Sequence, residues 1–213
     1  MGILLHSAWR ASAPYRVRIG LNLKGLAYEI APVNLVSSQH LAPAYAALNP
    51  QRLLPALEVG DRVLTQSLAI LEWLEETTPR PPLLPADPFD RAVVRSMAQI
   101  VASDIHPVNN LRCLRALTDL GVAEPEREAW IGRWITAGFT ALETMVAQHG
   151  GDYAFGDAPT LADICLIPQV YNAERFKTDL TPFPALRAVT ARCAQHPAFA
   201  AAHPNTQPDA LHA

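Results

Sequence analysis

The sequence predicts two domains, an α/β domain over residues 1–80 and an all-helical domain over residues 90–213, joined by a proline-rich linker at 81–89. Three observations predict it. Strand-like and helix-like segments alternate through the first 80 residues. Four prolines crowd into the eight residues 78–85. From Asp90 onward the apolar spacing is helical and no strand pattern returns.

Each element has its own signal. Ile3-Leu4-Leu5 reads as a short buried strand. Ser12 opens a helix with Val17, Ile19, Leu21 and Leu23 as apolar positions and Gly25 as its stop. Tyr28 to Leu35 reads as a second strand, which Pro32, having no N–H to give, places at a sheet edge. Leu41 to Leu48 is a weak helix ended by Asn49-Pro50. Ala56–Val59 and Arg62–Leu64 flank Gly60-Asp61 as a hairpin. Ser67 begins the strongest helix of this half, with Leu68, Ile70, Leu71 and Leu74 at helical spacing beside Glu72, Glu75 and Glu76. The order is βαβ followed by ββα.

The prolines of residues 78–85 exclude helix and make a stiff linker. Beyond it, helices are expected at about 90–119, 125–149, 160–175 and 184–195. Thr160-Leu161-Ala162-Asp163 fits a capping box, in which the threonine oxygen and the acid satisfy each other's orphan amides. The apolar run Ile164–Val170 behind it predicts a central buried helix bent at Pro168.

Composition excludes several classes. Half of the 213 residues are apolar, 17% are charged and the net charge is −3, as in an ordinary globule. The arginines are dispersed, so no basic stripe exists for a phosphate backbone, and nucleic acid is not an expected partner. No apolar run reaches the roughly 18 residues of a membrane span. Residues 1–7 are too short and uncharged for a signal peptide, so a cytoplasmic location is expected. Cys113, Cys165 and Cys193 stand far apart without CxxC, and no HExxH occurs. Quiet buried thiols and no metal site are the expectation.

Three places invite chemistry. Pro55 precedes a strand that must join a sheet, so Leu54 can offer its N–H and C=O sideways to an extended peptide. A plain turn proline is the alternative. Gln66-Ser67 leads into a helix whose first N–H groups attract carboxylates, with Ser67 as a simple N-cap the alternative. Arg10-Ala11-Ser12-Ala13 follows the first strand at its carboxyl end, where ligands gather in α/β sheets. There the Ser12 hydroxyl can hydrogen-bond a thiolate and lower its pKa, or again merely cap the helix.

Singly these signals are unspecific, but in this combination and order they resemble the glutathione transferases. Within that family the resemblance is to the zeta class, which includes the maleylacetoacetate and maleylpyruvate isomerases. It covers nearly the whole chain and rests on the blocks at 9–19, 47–50 with 54–55, and 66–76 of the first half. In the second half it rests on 104–110, 160–163, 172–176 and 179–182.

The resemblance implies a thioredoxin-like first domain, glutathione as cofactor, a small dicarboxylate as substrate and a homodimer. It implies that Leu54, before a cis Pro55, pairs with the cysteinyl backbone of glutathione. Gln66 and Ser67 hold its γ-glutamyl end, and His40 approaches the glycyl end. His106, Asn110 and Arg112 line the cleft. Arg10 and Arg175, helped by Arg112, grip the carboxylates, a task suited to the planar guanidinium fork. One departure stands out. The family has Ser-Ser-Cys where this chain has Ala11-Ser12-Ala13, which leaves Ser12 and the amides around Ala13 to face the sulfur. The function expected is cis–trans isomerisation of maleylpyruvate or maleylacetoacetate by reversible thiol addition. A glutathione-conjugating transferase and a non-catalytic glutathione binder are the rivals.

Overall fold

The computed structural model describes residues 2–210, and the chain divides into two units. The first opens with β1 (Ile3–Ser7), α1 (Ser12–Leu23) and β2 (Glu29–Pro32). A 3-10 turn (Gln39–Leu41) leads to α2 (Pro43–Leu48), then β3 (Ala56–Val59), β4 (Arg62–Thr65) and α3 (Ser67–Thr77). The sheet order is β2-β1-β3-β4, with β1 and β2 parallel and the other pairs antiparallel. Pro32 is on the edge strand, where its missing N–H costs no ladder bond. That strand is shorter than the run Tyr28–Leu35, because the chain leaves the sheet after Val33, whose N–H donates to the Ser7 carbonyl at 2.7 Å.

Helix α1 explains an odd feature of its sequence. Its apolar residues Val17, Ile19 and Leu21 fall at every second position, which is no helical stripe. The structure buries Pro14 through Leu21 on every side, Arg16 and Arg18 included. Gly20 lets α3 approach, since a Cβ there would lie 2.2 Å from Leu71 Cδ2. Leu5, Leu57, Ile70, Leu71 and Leu74, all buried, complete this core. Lys24 Nζ, buried, donates to Glu75 Oε2 and to the Pro81 carbonyl, both at 2.7 Å, which ties α1, α3 and the start of the linker together.

The second unit is helical. Helix α4 (Pro88–Gln99) starts on Asp87, whose Oδ1 accepts the Phe89 and Asp90 N–H groups at 2.8 and 3.0 Å. A π-helical stretch (Ile100–Ile105), then α5 (Leu111–Asp119), α6 (Glu124–His149), α7 (Leu161–Arg175) and α8 (Pro184–Ala194) follow. The single helix expected at 90–119 is therefore divided. The ladder widens at 100–105, and Asn110 restarts it by accepting the Arg112 N–H at 3.1 Å. Helix α7 begins on the expected capping box. Thr160 Oγ1 accepts the Ala162 N–H at 3.3 Å, and Asp163 Oδ2 accepts the Thr160 N–H at 2.8 Å. Buried residues run from Leu161 to Val170.

The chain then returns. Residues 196–210 group with the first unit, whereas the sequence suggested a helical domain running through them. Helix α9 (Pro197–Ala202) packs Ala198, Phe199 and Ala202 as buried side chains. Asn22 Nδ2 donates to the Ala198 carbonyl at 2.9 Å, and Arg18 Nε donates to the Ala202 carbonyl at 3.0 Å. Small residues on α9 permit that close approach, and the two polar ends of α1 side chains hold it.

Candidate functional site

Sheet register gathers the three candidate segments of the first unit. His6 on β1 pairs with Ala56 on β3, and Ala56 pairs with Thr65 on β4. The exit from β1, the entry to β3 and the exit from β4 therefore lie at one end of the sheet. Residues 8–13, 54–55 and 66–67 are the chain at those three points.

At the entry to β3 the Leu54–Pro55 bond is cis. The Leu54 N–H and C=O make no hydrogen bond among the described residues. The preceding carbonyl is fixed instead: Leu53 C=O accepts from the Tyr45 hydroxyl and from Asn49 Nδ2, both at 2.7 Å. Asn49, buried, also takes the Gln51 N–H on Oδ1 at 3.0 Å. Burial pushes the Tyr45 phenol up to about 12, partly offset by Asn49, so it keeps the proton it donates. A main-chain edge left open beside a fixed loop is what an extended peptide needs.

Both serines answer the capping question. Helix α1 is preceded by Ala11 and α3 by Gln66, so Ser12 and Ser67 are each the first helical residue, and neither hydroxyl caps its helix. Both are 5% exposed. The Ser12 hydroxyl makes no hydrogen bond among the described residues. Because Pro14 has no N–H, the first turn of α1 leaves two free amides, at Ser12 and Ala13. Ser67 Oγ accepts from the buried Arg16 Nη1 at 3.3 Å, which leaves its own proton to point elsewhere. Gln66 has φ of 67°, an unusual conformation for a residue with a side chain, and Nε2 donates to Gln51 Oε1 at 2.6 Å. His40 is buried in the 3-10 turn, and Arg10 is exposed with its guanidinium 5.5 Å from the centre of the Trp9 ring.

In the helical unit His106 follows the π stretch, Asn110 caps α5 and Arg112 is exposed on its first turn. Arg175 ends α7, exposed, over the rings of Tyr171 (6.0 Å) and Phe176 (5.6 Å). Cys165 and Cys193 are buried and Cys113 half-buried. Burial, with the nearby Asp163 charge second, pushes the Cys193 thiol well above its ordinary range, so it is inert. Among the described residues no group of His, Cys, Asp or Glu could hold a metal ion, and no helix is long and apolar enough to cross a membrane.

Arg16, Tyr45, Gln51 and Asp209 take part in this end of the molecule without having been singled out from sequence. An arginine in an apolar helix is the one signal that marked any of them.

Two family models match the chain, the N-terminal domain of glutathione S-transferase over residues 12–77 and its C-terminal domain over residues 124–201. A maleylpyruvate isomerase from a Ralstonia species is 52% identical over 96% of this chain and 98% of its own. The chain belongs to the glutathione S-transferase family. Other relatives in the family span a wide range of organisms. The maleylacetoacetate isomerase of Mus musculus is 43% identical over 97% of this chain and 94% of its own. Among solved structures, the holo form of a maleyl pyruvate isomerase, a bacterial zeta-class member, superposes with a TM-score of 0.94. It is 51% identical, covering 97% of this chain and 99% of that one. A maleylacetoacetate isomerase from Anaeromyxobacter dehalogenans with glutathione in its active site has a TM-score of 0.90 at 46% identity, covering 98% of both chains. The thioredoxin-like first domain and the all-helical second domain expected from sequence are those of this family.

Proposed function

We propose that the protein is a glutathione-dependent cis–trans isomerase of a small unsaturated diketo acid, maleylpyruvate or maleylacetoacetate. One observation carries the reading: an open peptide edge at Leu54 shares a sheet end with two buried serine hydroxyls that cap nothing. A tripeptide thiol fits those groups, its backbone against Leu54 and its charged end at the first amides of α3. Relatives carrying the two isomerase names at 43–52% identity support the same assignment.

When bound, glutathione supplies a thiolate that adds to the cis double bond, allows rotation about the resulting single bond and departs unchanged. The chain's residues prepare that chemistry. Leu54 and Pro55 align the cysteinyl backbone, Gln66 and Ser67 hold the γ-glutamyl carboxylate, and His40 serves the glycyl end. The Ser12 hydroxyl and the Ser12 and Ala13 amides stabilise negative charge on sulfur, in place of the serine and cysteine that Ala11 and Ala13 replace. Arg10 in the first unit is a guanidinium suited to a substrate carboxylate, and so are Arg175 and Arg112 in the second, with His106 and Asn110 beside Arg112 in sequence. The rings of Tyr171 and Phe176 restrict the Arg175 guanidinium before substrate arrives. The protein is a cytoplasmic homodimer.

The test is a thiol balance. Purified protein with substoichiometric reduced glutathione and excess maleylpyruvate yields the trans isomer while titratable thiol stays constant. Consumption of thiol in step with substrate identifies a conjugating transferase, and binding without turnover identifies a carrier. Arg175→Ala raises KM for the acid about tenfold or more while glutathione affinity holds. An equal loss of glutathione binding removes Arg175 from the carboxylate role.

A further inference from the structure

The turn leading to the sulfur-side residues is held on both main-chain faces, by Arg18 of the following helix and by Asp209 from the far end of the chain. Residues Ala8 to Ala11 form a tight turn, closed by the Ala11 N–H on the Ala8 carbonyl at 3.0 Å. Trp9 and Arg10 are its central residues. The Trp9 N–H donates to Asp209 Oδ2 at 2.9 Å. The Trp9 carbonyl accepts from Arg18 Nη2 at 2.8 Å. Arg18, fully buried, also donates to Ser7 Oγ at 2.9 Å and to the Ala202 carbonyl at 3.0 Å. The Trp9 ring in turn carries the Arg10 guanidinium. Contacts therefore run without a gap from Asp209 through Trp9 to Arg10, and Ser12 begins α1 one residue after the turn closes.

Asp209 Oδ1 is buried with no hydrogen-bond partner among the described residues. Asp209 is half-buried, and occluding one carboxylate oxygen without a partner costs free energy relative to leaving it in water. Such a cost is expected where a group positions a working site.

We propose that Asp209 is a positioning residue for the β1–α1 turn, so that the C-terminal segment aims Arg10 at the substrate carboxylate and fixes Ser12 against the sulfur. The proposal rests on the roles given above to Arg10 and Ser12. It makes the segment after α9 part of the catalytic apparatus while touching neither cofactor nor substrate.

Asp209→Ala tests it, compared with Asp209→Asn, which keeps an acceptor for the Trp9 N–H. A chain ended at Gln207 is a second variant, which leaves the Ala202–Arg18 contact intact. In the Ala and shortened variants, kcat/KM for the diketo acid falls about tenfold, because small misplacements of positioning groups are amplified in rate. The glutathione Kd stays within about twofold, since Leu54, Gln66 and Ser67 are anchored independently, and Asp209→Asn recovers most of the loss. A kcat/KM within twofold of the parent in Asp209→Ala overturns the proposal. So does an equal deficit in the Asn variant, or failure of both the Ala and shortened chains to fold, which makes the contact a structural clasp. A parent protein that binds glutathione but turns nothing over overturns the isomerase reading itself, and this proposal with it.

Discussion

The buried Lys24–Glu75 pair gives the sharpest stability prediction. The side chains are 0% and 9% exposed, and the 2.7 Å separation corresponds to roughly 6 kcal/mol of attraction at an effective dielectric near 20. Removing two ions from water costs several kcal/mol each, so the pair as a whole contributes little net stability. Breaking it is different. Lys24→Met leaves a buried carboxylate without its ammonium and the Pro81 carbonyl without its donor. The expected cost is about 3–5 kcal/mol, a large share of the roughly 5–15 kcal/mol that holds a typical fold. Glu75→Leu should cost a similar amount. The double variant Lys24→Met/Glu75→Leu removes both charges and should lie within about 1–2 kcal/mol of the parent, giving a coupling energy of several kcal/mol. Urea unfolding followed by circular dichroism, fitted with a common slope, reads all four proteins. Single losses below about 1 kcal/mol, or a double loss equal to their sum, would refute the reasoning. Glutathione affinity of the folded variants is expected to hold, because Glu75 lies about 12 Å along α3 from Ser67.

Two further predictions follow from the packing. Burial raises the Asp163 carboxyl to about 6 from 3.8, against the hydrogen bonds from Ala154 and Thr160, so between about pH 4 and 6 only the folded state keeps the proton. Its contribution is thus present below pH 4 and lost as pH rises to 6, so melting temperatures of parent minus Asp163→Asn should fall across that window and level off above it; a flat difference contradicts the shift. Asn49→Ala removes the bonds to Leu53 and Gln51 and should cost about 2 kcal/mol. By calorimetry it should weaken glutathione binding severalfold as the loop before Leu54 loosens, and unchanged affinity would show that the loop needs no such support.

Local chemistry was legible without a structure. The Gly60-Asp61 hairpin, the Thr160–Asp163 capping box and the helix from Ser67 are each encoded within a few neighbouring residues, by turn preference, reciprocal capping and 3.6-residue spacing. The ordered blocks around Ser12, Leu54-Pro55 and Gln66-Ser67 were legible too, because a family likeness needs only residue identity at fixed positions.

What the sequence left open was which of two uses each serine hydroxyl serves. The helix starts at Ser12 and Ser67 themselves, a one-residue matter of backbone angle, exclude the capping use. The division of the helix at 90–119 falls at residues 106–110, where Pro107 and Asn109-Asn110 carried a breaker signal that the helical spacing on either side outweighed.

The amino-acid order alone determined the elements, their succession and the residue types available for chemistry, because those depend on interactions between near neighbours. Only the tertiary structure decided that Arg16 and Arg18 are buried, that three separate segments meet at one sheet end, and that residues 196–210 return to the first unit. The Trp9–Asp209 and Arg18–Ala202 bonds span 200 and 184 residues. Contacts of that reach are fixed by how whole elements pack, and no short stretch of sequence carries a signal for them.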